Sequence, residues 1–466
     1  MPLEARTELL AKSSITHAFP SPSPSRHRKI PSRMAEDGLT DYERLRQENI
    51  RRNEAMLASV RRKAEELSAA IQAAKPKRVR TPGEKPAPLP PSSIVLRSRN
   101  PSAEPRSAQL SSSLASSILG SLPPEAKARA DDFDAGKELV LKRAHVRRVV
   151  NSSIQSLRVL PLADRTVVAA GDKWGNIGFW DVDAASEDQD ADGVVFRYVP
   201  HKTPVSAIVA HPAAPHKIYS SSYGGEICLM DFVEENFNMV NLWKCPVYSL
   251  CQAQDNVKHL YIGDESGDLT LFDERVGKVI TTWDAHDDTI ESIDFHPKNK
   301  HMIATSSTDG SACIWDVRNM KRKEPDSLKV FRLQESAKSA YFSPSGRMLA
   351  VTSIMPAASG TVRVFSVDDF EKSHTAEYNN QPSYFLSTFK VIWGWNDTDL
   401  YVGNKTKRID IISVEVNDSG LSAQNSSYLR SQHMASVPCQ FSAHPYKVGH
   451  LACSSSSGKV FLWTRA

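Results

Sequence analysis

One stretch of this chain holds the residue types of a hydrolytic triad. Between His286 and Trp315 lie Ser306, Ser307 and Asp309, and a hydroxyl, an imidazole and a carboxylate brought together can activate a nucleophile. With an indole N–H added, the same residues can instead close a buried hydrogen-bond chain inside a sheet, with either Ser306 or Ser307 as the hydroxyl. The second reading is the stronger. No G-x-S-x-G elbow, phosphate-binding Walker loop, His-Glu-x-x-His or dinucleotide fingerprint occurs in the sequence. The chain is therefore expected to act by binding and not to be an enzyme. Cys228, Cys245, Cys251, Cys313, Cys439 and Cys453 include no C-x-x-C pair and no metal-ligand spacing. Most sit in apolar runs, where a thiol behaves as a small hydrophobe, so no metal or cofactor is expected.

The remaining chemistry is that of cations. The formal net charge is only +4, yet residues 1–110 hold 21 Lys/Arg against 12 Asp/Glu, leaving the rest close to neutral. Any nucleic-acid binding by the C-terminal part must then come from clustering on one face and not from bulk charge. The run Lys75-Pro76-Lys77-Arg78-Val79-Arg80 suits nuclear import or phosphate contact, or else is a solvated linker. No apolar run approaches the ~18 residues of a membrane span, and no secretory signal is evident near the start. The chain is expected to be intracellular, with no membrane partner. Residues 1–33 read either as a targeting segment or as an upstream extension.

The elements that would carry these residues differ sharply along the chain. Residues 1–38 are expected to be disordered. Residues 39–75 read as one helix, opened by the capping box Thr40-Asp41-Tyr42-Glu43 and stopped by Pro76. Its broken apolar stripe of Tyr42, Leu45, Met56, Val60, Leu67 and Ile71 suits docking on a partner, a short coiled coil or a merely solvated helix. Residues 76–136 read as a disordered basic and Pro/Ser-rich linker with almost nothing to bury.

From residue 137 onward internal repetition dominates. Each unit runs an apolar strand into a His/Ser-Pro step, as in Ala210-His211-Pro212 and Phe295-His296-Pro297. A second strand then meets an Asp/Gly turn, as in Thr308-Asp309-Gly310, where Gly permits the positive φ of a tight hairpin. A third strand closes on Trp180, Met230, Phe272, Trp315, Phe365, Ile412 or Trp463, at intervals of 50, 42, 43, 50, 47 and 51 residues. Seven units near a period of about 40–45 residues predict an all-β fold, a seven-bladed WD40 β-propeller over residues 137–466. Lys137–Arg143 is expected to lend a strand to the last blade and close the ring.

Several strings are more specific than the repeat. Ala170-Gly171-Asp172-Lys173-Trp174-Gly175-Asn176, Lys217 through Tyr223, Ser339 through Gly346, and Asp41 through Ala55 together resemble the damaged-DNA-binding WD-repeat family. The likeness is to the branch of WD repeat-containing protein 76 and its fungal counterpart, with the small damaged-DNA-binding subunit a distant relative. It covers residues 39–60 and nearly all of 140–466. The resemblance implies a nuclear, DNA-associated protein of the damage response and a substrate receptor docking to the cullin-4 ligase adaptor, the damaged-DNA-binding large subunit. The docking boxes it implies are Trp315, Asp316 and Arg318, and, as a variant, Phe272, Asp273 and Arg275. Basic or aromatic residues expected on the loop face that would meet DNA are Lys173, Trp174, Lys202, Trp243, Lys244, Lys338, Tyr384, Phe385, Lys390, Lys405, Lys407 and Arg408. Tyr384 or Phe385 stands where the distant relative wedges the duplex. Two departures remove positive charge: Asp287-Asp288 where relatives often carry lysines, and Ser153 where they usually carry arginine. The alternative is a chromatin or proteostasis scaffold without DNA contact, whose loop face binds a protein or histone tail and in which Trp174 and Trp243 are packing residues.

Overall fold

The computed structural model describes residues 112–119 and 133–466, apart from 186–192, 213, 235, 254–257, 355–359, 379–388 and 418–419. Seven antiparallel sheets follow one another along the chain, spanning 154–198, 205–242, 247–284, 290–332, 337–378, 392–429 and 438–465. They are numbered here as blades 1 to 7, with strands a to d in chain order. The a strands touch their neighbours around a closed circle, that of blade 7 packing against that of blade 1. They therefore line a central channel, and the expected ring of seven is the observed one. The anticipated closers Trp180, Met230, Phe272, Trp315, Phe365, Ile412 and Trp463 are all buried.

The outer position of blade 7 is filled from the start of the propeller. Leu139–Val140 and Val146–Arg148 both pair antiparallel with Lys459–Arg465. First and last segments thus share one sheet, which removes the two open edges that an unclosed ring would expose. The closing strand expected within Lys137–Arg143 supplies only Leu139 and Val140. A second piece lies three residues beyond it.

One segment of the expected linker is not disordered. Ser112–Leu119 forms a helix, α1, whose Leu114, Ala115 and Ile118 are buried among Leu160, Leu162, Phe179 and Phe232 of blades 1 and 2. Arg165 Nη1 donates to Ser117 Oγ at 2.6 Å and to Asp181 Oδ2 at 3.0 Å. A Pro/Ser-rich composition averages over this pair of apolar residues four apart, although their spacing suits one helix face. The helix expected over 39–75 lies outside the described residues. Among the described residues no helix is long and apolar enough to cross a membrane.

Two backbone devices recur and set the positions of functional side chains. The first is a register shift near the start of the a–b pairing, between Ile154 and Ser156, Val205 and Ala207, Val247 and Ser249, Ile290 and Ser292, and Ala337 and Ser339. Such a bulge leaves one residue out of the ladder and re-aims its side chain; here those residues include Tyr248, Glu291 and Lys338. The second is the b–c turn, where Gly175, Gly225, Gly267, Gly310 and Gly458 all take φ between 78° and 85°. A Cβ at Gly175 would lie 2.2 Å from the His201 carbonyl oxygen, so the position demands glycine twice over. Blade 6 breaks the pattern by placing Lys407 at φ 60° in the equivalent turn.

Candidate nucleic-acid interface

The residues of the apparent triad do come together, with a substitution. His286 Nδ1 lies 2.9 Å from Asp309 Oδ2 and Nε2 lies 2.7 Å from Thr305 Oγ1, which accepts from Trp315 Nε1 at 2.8 Å. A carboxylate can only accept, so Nδ1 carries the proton and Thr305 donates to Nε2. The hydroxyl is that of Thr305, and neither Ser306 nor Ser307 takes part. Ser306 Oγ is 2.8 Å from Ser292 Oγ, and Ser307 Oγ donates to the Asp288 carbonyl at 2.8 Å. Residue alternation along strand b puts Ser306 on the opposite face and decides the matter. Burial opposes ionisation of Asp309, but hydrogen bonds from His286 and Ser311 hold its carboxyl well below the ordinary range. The His286 side chain is 1% exposed, so the chain of bonds fastens the blade and offers no open nucleophile. Blade 2 repeats part of it, with His201 Nε2 2.8 Å from Ser220 Oγ and Nδ1 3.4 Å from Glu226 Oε2.

The face bearing the b–c turns and blade-to-blade connections carries most of the expected cations, in separate groups. In blade 1, buried Asp172 accepts from Trp174 N at 2.8 Å and from both nitrogens of Asn176, which shapes the turn. Trp174 is left 63% exposed, with the Lys173 ammonium 5.2 Å from its ring centre. It is a presented residue and not a packing one. Lys202 and Lys244 are exposed in the connections before blades 2 and 3. Trp243 is different: it is half-buried and its ring meets Phe272 edge-on at 6.4 Å. It packs against the core of blades 2 and 3 and, unlike Trp174, is not presented as a free ring.

Lys338 and Lys390 also depart from expectation. Lys338 Nζ pairs with Glu291 Oε1 at 2.8 Å, while Lys390 Nζ donates to the Glu291 carbonyl at 2.8 Å and stands 3.8 Å from Oε2. These three residues belong to blades 5, 6 and 4. A contact that skips a blade runs across the channel, so the lysines converge inside its mouth and do not project from the face. The physical reason is the bulge at Lys338 and Glu291 described above. Burial pushes the Lys390 ammonium below the usual lysine value, although Glu291 works against that. Tyr223 and Tyr248, with ring centres 4.6 Å apart, lie near the same carboxylate. Composition and motif reading passed over both tyrosines and Glu291. Tyr384 and Phe385 lie outside the described residues.

In blade 6 the turn Asn404–Arg408 is clamped from beneath. Asn404 Nδ2 and Arg408 Nε both donate to buried Asp410, at 2.5 and 2.7 Å, and Asn404 Oδ1 accepts from Thr406 N and Oγ1 at 2.9 and 2.8 Å. Lys405 and Lys407 are exposed on its crest. The Arg408 guanidinium lies 4.8 Å over the ring of Tyr428.

The c-strand ends lie on the opposite face. Phe272 and Trp315 are buried. Asp273 Oδ1 accepts from Arg275 N and Val276 N at 2.9 and 3.2 Å, and Asp316 Oδ1 accepts from Arg318 N at 3.1 Å. The two arginines differ. Arg318 turns its fork back onto its own Asp316, with Nε and Nη2 at 2.9 and 2.6 Å, which holds the Asp316 carboxyl at about 2. Arg275 has no ion-pair partner among the described residues. Exposed Val276, Val279 and Ile280 follow Arg275 directly.

With this geometry in place, comparison with known proteins is informative. The family model "WD domain, G-beta repeat" matches residues 277–316, the outer strand of blade 3 and the a to c strands of blade 4, including the whole His286–Trp315 network. The chain folds as a seven-bladed propeller in which this repeat is of WD type. Over 355 residues, 70% of this chain and 55% of the relative, this WD-repeat protein is 26% identical to WD repeat-containing protein 76 of Xenopus laevis. Its likeness to the Mus musculus protein of that name is 26% over 336 residues, covering 70% of this chain and 51% of the relative. DNA damage-binding protein CMR1 of Vanderwaltozyma polyspora is 25% identical over 372 residues, 73% of this chain and 66% of the relative. The propeller protein thus spans about half the length of the vertebrate relatives it matches. The expected resemblance is borne out over most of the chain.

Proposed function

We propose that this protein is a nuclear, DNA-associated propeller of the damage response that works by binding and not by catalysis, with DNA held on the b–c turn face. The observation that carries this reading is Trp174, a large aromatic left exposed beside the Lys173 ammonium on a turn that Asp172 shapes. Lysines on the same face, Lys202, Lys244, Lys405 and Lys407, neutralise phosphates and give an affinity that tolerates sequence and falls with salt. Relatives named DNA damage-binding proteins support the choice. The test is duplex binding by the full chain across a salt series. Charge reversal at Lys173, Lys405 and Lys407 is expected to flatten the slope of log affinity against log salt by about 3, roughly one for each phosphate that is no longer neutralised. An unchanged slope excludes the face.

The same protein docks to the cullin-4 ligase adaptor through the opposite face, with Arg275 as the free contact and Arg318 swinging off Asp316 on docking. A planar fork suits an acidic or carbonyl partner. Arg275→Ala is expected to reduce co-purification of the adaptor more than Arg318→Ala does, because Arg318 must first break its own ion pair. Equal retention in both variants removes the docking assignment. The second reading, a scaffold on chromatin proteins, draws on the exposed carboxylates Glu265, Asp287 and Asp288 of the turn face, which repel a phosphate backbone and attract basic segments. A pull-down with and without nuclease separates the two.

A further inference from the structure

On the turn face of blade 6, beside its exit towards blade 7, a cleft of about 580 Å³ opens, lined by Thr406, Lys407, Tyr428, Arg430, Gln432 and Met434. Its walls come from the outer strand of blade 6, which carries Tyr428, and from two loops. One is the b–c turn of blade 6, clamped by Asp410. The other is the connection to blade 7, where Ser431 accepts from His433 N and Met434 N folds back on the Ser431 carbonyl. Met434 is buried and floors the cleft, whereas Tyr428 is 54% exposed at its edge. Arg408 covers one face of the Tyr428 ring at 4.8 Å. Lys407 and Arg430 have no ion-pair partner among the described residues.

Lys407 itself is held in a strained conformation. Five other b–c turns place glycine at this point, and among the described turns of this kind only this one holds a residue with a side chain, at φ 60°. For an L-residue that conformation costs about 1–2 kcal/mol relative to the right-handed region. Residues held in such strained regions cluster at functional sites, and this one stands at the rim of the cleft.

We propose that this cleft is a subsite for an unpaired nucleic-acid strand, with one base stacked on the open face of Tyr428 and its flanking phosphates held by Lys407 and Arg430. The inference rests on the nucleic-acid reading above and gives it a ligand class. Lysines alone serve a duplex, but within a duplex each base face is already covered by its neighbour. A free phenol ring beside two unpaired cations matches a strand whose bases are open, since every base offers a π face. A phosphorylated peptide would use the cations and leave the ring without a partner.

The experiment measures the full chain by fluorescence anisotropy against labelled oligo(dT) of 12 nucleotides and against a blunt duplex of the same length. Tyr428→Ala is expected to weaken oligo(dT) binding about tenfold, the loss of one base–aromatic stack, with duplex binding changed less than twofold. Tyr428→Trp restores it. Tyr428 is a surface residue, and circular dichroism of both variants checks that the blade is intact. Lys407→Gln with Arg430→Gln is expected to reduce the salt slope for oligo(dT) by about 1.4. Duplex binding with no Tyr428 effect on oligo(dT) overturns the subsite and leaves the wider reading standing. Equal losses on both ligands also overturn it, as does displacement of oligo(dT) by a phosphoserine peptide at lower concentration than by unlabelled oligo(dT). No binding to either ligand overturns both.

Discussion

Blades 4 and 6 use the same b–c turn for opposite ends. In blade 4, Asp309 points inward to His286, Gly310 takes the left-handed conformation, and the hydroxyl of Thr305 joins histidine to Trp315. Its polar groups are committed to the fold. In blade 6 no such chain forms among the described residues: Asp410 steadies the turn from below, and Lys405 and Lys407 face solvent. The same turn thus commits its polar groups to the fold in one blade and leaves its cations in solvent in another. Blade 1 sits between the two, with an inward Asp172 and an outward Lys173–Trp174 pair on one turn.

This contrast can be broken most forcefully in blade 4. Trp315→Ala removes a buried indole and its bond to Thr305, and is expected to cost about 3–5 kcal/mol of stability in chemical denaturation. Thr305→Val keeps the volume but strands Trp315 Nε1 and His286 Nε2, for about 1–3 kcal/mol. If Thr305→Val is neutral while a change at Ser306 is costly, the assignment of the hydroxyl is wrong.

A pH series sharpens the comparison at another fastening point. His444 and His450 sit at the seam of blades 7 and 1, 3.1 Å from the Arg165 carbonyl oxygen and 3.2 Å from Thr166 Oγ1. Burial holds both at about 4, against about 6.5 in an unfolded chain. Between those values the unfolded chain binds protons that the folded seam refuses, so stability falls as pH drops from about 6.5 towards 4. The melting temperature is expected to decline over that range, and His450→Gln to decline less. Asp309 acts lower down. Its depressed carboxyl contributes above the unfolded value near 3.9 and loses that contribution as pH falls further. Asp309→Asn should remove the most acidic part of the profile and leave the histidine part in place.

The smallest effect is expected in blade 6. Lys407→Gly relieves the left-handed strain and should stabilise the protein by about 1 kcal/mol, while weakening nucleic-acid binding. Stabilisation with binding unchanged would mean that Lys407 is an accident of the turn.

The repeat was legible because its signals are local. Seven closing aromatic or apolar residues, Gly at tight turns and the His-to-Trp spacing of blade 4 all survive in linear order, and each takes the place expected of it. Trp174 and the Lys405–Arg408 crest were legible for the same reason: a b–c turn delivers its residues to one face whatever the neighbours do. Tyr428 and Arg430 were not, since they lie at and just beyond the end of an outer strand and carry no motif. Helix α1 hid inside a Pro/Ser-rich window, its Leu114 and Ile118 too few to register against the composition.

By itself, then, the order of residues determined the number of blades, the positions of their turns and the side of each strand that packs, because period and hairpin chemistry act over a handful of neighbours. Only the closed ring decided which distant residues meet. A one-residue bulge sent Lys338 and Glu291 into the channel to join Lys390 across it, and the pairing of strands c and d of blade 6 brought Tyr428 and Arg430 to the Lys407 turn around a common cleft. Those outcomes depend on contacts between blades and between non-adjacent parts of one blade, where the relevant distances are spatial and leave no spacing in the sequence.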